Sequence, residues 1–89
     1  MFRLWGKIFI DNRLIKDITI ENPDMSLNRT RKVFDAVDKI CYEFDLEHPI
    51  WLESNIDEFK RFDKTRFFQD SFIGSIDFDF LEIHVIEED

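Results

Sequence analysis

The sequence predicts an α+β domain, in which an antiparallel sheet of three to five strands carries one long helix on a face and a second, short helix. Three observations lead to this prediction. Apolar and polar residues alternate near both ends of the chain, as they do in strands. A central segment repeats apolar residues at helical spacing. Strands and helices do not alternate regularly, which argues against a parallel βαβ sheet. The 89 residues are expected to form a single domain, residues 1–89.

The first 21 residues predict a β-hairpin. Residues 2–10 and 14–21 alternate between apolar and polar side chains, and the triplet Asp11-Asn12-Arg13 between them is a turn signal. The second face of this hairpin carries Trp5, Phe9 and Ile15, and it is too apolar to lie open to water. We therefore expect this face to meet another layer or another subunit.

The long helix has the strongest signal in the chain. Pro23 and its neighbours break the preceding strand, and Ser26 or Thr30 could cap the helix that follows. Six apolar residues then fall on one helical stripe, which we expect to face the core. They are Val33, Phe34, Val37, Ile40, Cys41 and Phe44.

The second half of the chain predicts shorter elements. Residues 50–52 could form a short strand, and Ser54 with Asp57 resembles a capping box that opens a short helix. Residues 64–68 and 76–86 are expected to be strands, the last with a bulge near Phe80-Leu81. The buried stripe predicted for the short helix comprises Ile56, Phe59 and Phe62.

Charge and composition indicate a cytoplasmic protein. The net charge is −8, and all of the imbalance lies in residues 46–89. No apolar run is long enough to span a membrane, and the N-terminus does not resemble a signal peptide. A single cysteine, Cys41, cannot form an internal disulfide, which fits a reducing compartment.

The sequence contains no recognisable catalytic or cofactor-binding motif. Cys41, His48 and His84 do not have the spacing of zinc ligands, and two glycines are too few for a phosphate-binding loop. If the protein were an enzyme, Asp77, Asp79 and His84 would be the least implausible participants, since paired carboxylates can hold Mg²⁺. We expect a non-enzymatic protein with no cofactor and no metal.

An excess of aromatic residues suggests a surface that binds protein. Eleven of the 89 residues are phenylalanine, more than a core of this size readily accommodates. Aromatic residues and arginine are typical of interaction hot spots, so the partner is expected to be another protein or a second copy. The candidate interface residues are Trp5, Phe9, Trp51, Arg66, Phe67 and Phe68.

Two alternatives involve nucleic acid. Residues 59–68 interleave bases with aromatics, as single-strand binders do, and Lys60, Arg61, Lys64 and Arg66 would contact phosphate. In the other alternative, the acidic residues 76–89 mimic phosphate and inhibit a DNA-binding protein.

Several short motifs carry a resemblance to a known group of proteins. They include Trp5-Gly6-Lys7, Pro49-Ile50-Trp51-Leu52, Lys64-Thr65-Arg66-Phe67 and the acidic ending Glu87-Glu88-Asp89. On these motifs the chain resembles small acidic proteins of about this length, with no assigned function, from anaerobic Gram-positive bacteria. The resemblance covers nearly the whole chain and implies a free-standing cytoplasmic protein. It carries no catalytic or binding residue over to this sequence.

Overall fold

The computed structural model describes residues 1–88, which form a four-stranded antiparallel sheet and two α-helices. The order of the strands across the sheet is β2-β1-β4-β3, so the predicted α+β fold is confirmed. In chain order the elements are β1 (Phe2–Ile10), β2 (Arg13–Asn22), α1 (Arg29–Glu43), α2 (Glu53–Phe62), β3 (Lys64–Phe67) and β4 (Phe80–Glu87).

The hairpin of β1 and β2 closes through a tight turn at Asp11 and Asn12. Both residues have positive φ values, 51° and 64°, which Asp and Asn tolerate better than most residues. A bulge between Ile8 and Phe9 shifts the register, so Leu14 pairs with Phe9. Ile15 instead lines a cavity on the helix side of the sheet. The prediction that Ile15 shares a face with Phe9 is therefore wrong.

Helix α1 covers one face of the sheet. Its cap is Asn28, whose side-chain oxygen accepts a hydrogen bond from the Arg31 amide at 2.9 Å, and not Ser26 or Thr30 as predicted. The predicted stripe is buried except at its edges, where Phe34 is 47% exposed and Phe44 is partly exposed. Ile40 lies directly over Gly6, where the absence of a side chain lets helix and sheet approach closely.

Helix α2 is held to β3 by the buried side chain of Asn55. Its amide oxygen accepts a hydrogen bond from the Leu52 backbone, and its amide nitrogen donates to the Thr65 hydroxyl and the Arg66 carbonyl. Because Leu52 and Asn55 form the helix start, the capping box predicted at Ser54 and Asp57 is wrong. Of the predicted apolar stripe only Phe59 is buried, while Ile56 and Phe62 are exposed.

The predicted boundaries in the second half need two further corrections. Residues 50–52 form no strand, and the last strand begins at Phe80 instead of Ile76. Phe78 precedes the strand and packs edge-on against Phe72 in the core, with ring centroids 5.9 Å apart. Phe78 therefore does not alternate with the residues of β4, and the bulge predicted near Phe80-Leu81 is wrong, since the pairing of β4 is regular there. Among residues 1–88, neither helix has the length and apolar character needed to cross a membrane.

The close contact at Gly6 predicts a specific packing defect. A Cβ at this position would lie 2.8 Å from Cδ1 and 2.9 Å from Cγ2 of Ile40. We expect Gly6→Ala to lower the free energy of unfolding by about 1–3 kcal/mol, because overpacking a core forces side chains from their rotamers. Chemical denaturation in a double-mutant cycle should show a smaller cost when Ile40 is already replaced by Val.

The matched control is Gly74→Ala, since a Cβ there would meet only the end of the Glu47 side chain, at 3.5 Å. This control should change stability by less than about 0.5 kcal/mol. Equal costs at Gly6 and Gly74 would contradict the packing explanation.

Candidate functional site

The candidate site is the face of the sheet that points away from both helices. We call it the open face, because no other helix or strand of residues 1–88 packs on it. Strand pairing arranges its side chains in rows that cross all four strands. The first row is apolar and comprises Leu14, Phe9, Phe80 and Phe68. The rings of Phe9 and Phe68 lie 5.0 and 5.3 Å from that of Phe80.

The second row alternates in charge across the sheet: Asp17, Lys7, Glu82 and Arg66. The Lys7 ammonium lies 2.7 Å from one carboxylate oxygen of Glu82, and the Arg66 guanidinium lies 2.9 Å from the other. Lys7 is only 9% exposed and Glu82 only 5%, although no layer covers them. Neighbouring side chains of the same face provide this shielding.

The ionisation of Glu82 reflects two opposing effects. Burial raises the pKa of the Glu82 carboxyl, but hydrogen bonds and charges from Lys7 and Arg66 outweigh it and leave the pKa below its ordinary value of 4.5. The carboxylate is therefore ionised at neutral pH and pairs with both cations, while Asp17 supplies the second negative charge of the row.

The third row comprises Thr19, Trp5, His84 and Lys64. The indole nitrogen of Trp5 donates a hydrogen bond to Asp17 at 2.8 Å, and the Lys7 ammonium lies 3.8 Å from the centre of the indole ring. Burial, followed by the charges of Lys7 and Lys64, lowers the pKa of His84. The imidazole is therefore uncharged at neutral pH.

Four of the six predicted interface residues lie on the open face: Trp5, Phe9, Arg66 and Phe68. Phe67 does not, because it is 0% exposed and belongs to the core. Trp51 also lies elsewhere, on the helix side, with its ring edge-on to Phe34, Phe59 and Phe67. Phe68 directly follows β3 in an extended conformation, and successive side chains of extended backbone point to opposite faces, so only one of Phe67 and Phe68 could lie on this surface.

The four cations of the nucleic-acid alternative are divided between two elements. Lys60 and Arg61 belong to helix α2, whereas Lys64 and Arg66 belong to strand β3 of the sheet. Arg66 is already paired with Glu82 and lies over the ring of Phe80. The interleaved aromatics are divided as well, since Phe59 and Phe67 are buried in the core.

The acidic residues 76–88 are largely engaged within the molecule. Glu82 pairs with Lys7 and Arg66, Glu87 pairs with Arg3, and Glu88 pairs with Arg29. Asp79 accepts a hydrogen bond from the Asp11 amide. These contacts leave few free carboxylates in the segment that was expected to mimic phosphate; Asp89 lies outside the described residues.

The residues with catalytic potential are dispersed. Asp77 and Asp79 precede β4, while His84 lies on the open face. Residues 1–88 contain no group of three or more His, Cys, Asp or Glu side chains placed to hold a metal ion. Burial, with a smaller contribution from Asp38, raises the pKa of the Cys41 thiol to about 11, so the thiol stays protonated at neutral pH.

Lys7, Leu14, Phe80 and Glu82 also lie on this face but were not among the interface residues predicted from the sequence. A signal existed for Lys7, which alternates with Trp5 and Phe9 and thus places a charge in the middle of an apolar face. Glu82 can be suggested as the partner of Lys7 only when the pairing of β1 with β4 is known. Leu14 depends on the bulge, which has no clear mark in the sequence.

The chain was compared with known proteins in three ways. No protein-family model, no curated protein and no solved structure matches it significantly. The resemblance to small acidic bacterial proteins therefore stays a prediction, and the case for the open face rests on its geometry.

The buried ion pair between Lys7 and Glu82 predicts that removing one partner lowers stability more than removing both. Glu82→Leu should lower the free energy of unfolding by about 3–5 kcal/mol, because it leaves the Lys7 ammonium buried without its partner. Adding Lys7→Met should recover part of that loss, since Arg66 can reach solvent while Lys7 cannot. Urea denaturation of the three variants measures both effects. A double variant that is less stable than Glu82→Leu would contradict this account.

The same carboxylate predicts a pH dependence. Because the folded-state pKa of Glu82 is lowered, its contribution to stability is present above pH 4.5 and is lost as the pH falls through the folded-state value. Glu82→Gln should therefore flatten the decline in the free energy of unfolding on acidification below pH 4.5. A decline as steep as that of the unmodified protein would show that other groups cause it.

Proposed function

We propose that this protein is a non-enzymatic, cytoplasmic protein-interaction module that works as a homodimer joined through its open face. The observation that carries the proposal is the apolar row beside a charged row, on a face that no helix or strand of residues 1–88 covers. A second copy would supply the missing layer and bury Leu14 and Phe68, which are 46% and 49% exposed.

The charged row favours a second copy because it is complementary to itself. Its signs run negative, positive, negative and positive from β2 to β3. A two-fold axis parallel to the strands reverses the order of the row in the facing copy. Asp17 then faces Arg66 of the other copy, and Lys7 faces Glu82. The apolar row faces itself in the same arrangement.

The balance of charge supports the same partner. The open face carries equal numbers of cations and anions. The cations are Arg3, Lys7, Lys64 and Arg66, and the anions are Asp17, Glu21, Glu82 and Glu87. The net charge of −8 therefore lies on other surfaces. This neutral face is where two acidic copies meet with the least repulsion.

Association through this face would require little additional desolvation of the central pair, Lys7 and Glu82. Burying charges is costly when they leave water, but Lys7 and Glu82 have lost most of their exposure within the single chain. The neutral imidazole of His84 adds no further charge to the interface. The main change is the burial of apolar surface in the first row, which favours association.

The size of the face is at the lower limit for a specific dimer. Strands β1, β2 and β4 contain 9, 10 and 8 residues. At about 3.3 Å per residue and about 4.8 Å between strands, the face covers on the order of 500 Å². Two copies would bury on the order of 1,000 Å², the threshold at which specific interfaces begin.

Analytical ultracentrifugation tests this proposal. We expect the unmodified protein to sediment as a dimer at micromolar concentrations. Leu14→Asp with Phe68→Asp should produce a folded monomer, because both residues are exposed at the ends of the apolar row. Ile73→Asp is the matched control, since Ile73 is 87% exposed and lies outside the sheet, and it should remain dimeric.

Circular dichroism establishes that each variant is folded. A monomer for the unmodified protein would contradict self-association. A dimer that persists in the Leu14→Asp and Phe68→Asp variant would show that the copies meet through another surface.

A further inference from the structure

A second surface feature lies on the opposite side of the molecule. Helices α1 and α2 border an open groove of about 270 Å³, whose apolar lining is Val33, Phe34, Trp51, Ile56 and Phe59. Phe34 and Ile56 remain 47% and 41% exposed at its walls. The groove is separate from the open face and would remain accessible in a dimer formed through that face.

The floor of the groove is preformed. The Trp51 ring is held edge-on by three other rings, with centroid distances of 5.8 Å to Phe34, 5.4 Å to Phe59 and 5.1 Å to Phe67. Such edge-to-face contacts fix the orientation of an aromatic ring. A ligand would therefore meet a defined apolar surface, and binding would cost little conformational entropy.

The polar residues that line the groove are two cations and one hydroxyl. They are Arg29, Thr30 and Lys60, and no acidic residue lines the groove, although the chain contains twenty acids. Arg29 is fixed by ion pairs with Asp63 at 2.8 Å and Glu88 at 2.6 Å. Lys60 forms no ion pair with any residue that the structure describes, so its ammonium is available to a carboxylate.

The size and shape of the groove distinguish between kinds of ligand. Pockets that enclose small molecules usually measure about 300–1,000 Å³ and surround most of the ligand. This groove is smaller and open, and it runs between two helices, which suits the apolar side chains of a docked helix. Its dimensions fit a few large side chains better than a whole cofactor.

We propose that the groove binds an acidic, amphipathic helical segment of a partner protein. Apolar side chains spaced three or four residues apart occupy the space between Phe34 and Ile56, over the Trp51 ring. A Glu or Asp of the segment pairs with the Lys60 ammonium. If the protein dimerises as proposed above, each dimer presents two such grooves, but the binding itself does not depend on dimerisation.

Selection from a random library of helical peptides against the intact protein tests this inference. We expect the enriched peptides to combine large apolar residues at helical spacing with acidic residues beside them. Isothermal titration with the most enriched peptide should then show binding weakened by about tenfold in Lys60→Glu and in Ile56→Ser, about 1.4 kcal/mol. Both positions are exposed, so the fold should persist.

The chain offers a matched control for each variant. Lys39→Glu makes the same charge change on the exposed face of α1, and Ile73→Ser makes the same apolar change at a site that is 87% exposed. Both controls should bind like the unmodified protein. The monomeric Leu14→Asp and Phe68→Asp variant should also bind the peptide, which separates this inference from the proposed dimer.

Three results would overturn the inference. The first is the absence of any enriched peptide, and the second is enrichment of basic peptides. The third is an enriched peptide whose affinity is the same for Lys60→Glu, Ile56→Ser and the two controls.

Discussion

The main constraint on this structure is that one face of its four-stranded sheet has no helix on it and must remain stable in contact with water. Helices of 15 and 10 residues lie on one side only, and the other side contains both aromatic and charged residues. Ion pairs of Glu82 with Lys7 and Arg66 stabilise the centre of this face. They join three adjacent strands through side chains, and Asp17 on the fourth strand brings the row to equal numbers of positive and negative charges.

The same ion pairs also constrain how the strands align. Side chains alternate between the two faces of a sheet, so a slip of one residue would turn Lys7 toward the helix side, where Ile40 and its neighbours are packed. That alternative would bury an unpaired ammonium in an apolar core. The apolar row at Phe9 and Phe80 and the ion pairs at Lys7 and Glu82 therefore require one register between β1 and β4.

Features that depend on local patterns could be predicted from the sequence. The hairpin follows from alternation around Asp11 and Asn12, and α1 follows from a stripe that extends over three turns. Features that depend on distant partners could not. Ile56 and Phe62 have the spacing of a buried stripe, but α2 is held by Asn55, which orients the helix differently and leaves both residues exposed.

The candidate site shows the same division. Trp5 and Phe9 were placed on a surface because they alternate with core residues along β1, whereas Arg66 and Phe68 were chosen by residue type. Phe67 and Trp51 were misplaced, because only the pairing of β3 with β4 and the packing between helices decide which aromatic faces the core. Phe78 was assigned to the last strand, since an apolar residue packed in a loop has the same pattern as one in a strand.

The central claim is that a second copy covers the open face. The most direct measurement is an isotope-filtered nuclear Overhauser experiment on a mixed sample of labelled and unlabelled protein, which detects only contacts between copies. The account predicts contacts between copies among Leu14, Phe9, Phe80 and Phe68, and none from the helix side. Contacts confined to α1 and α2, or none between copies at all, would contradict it.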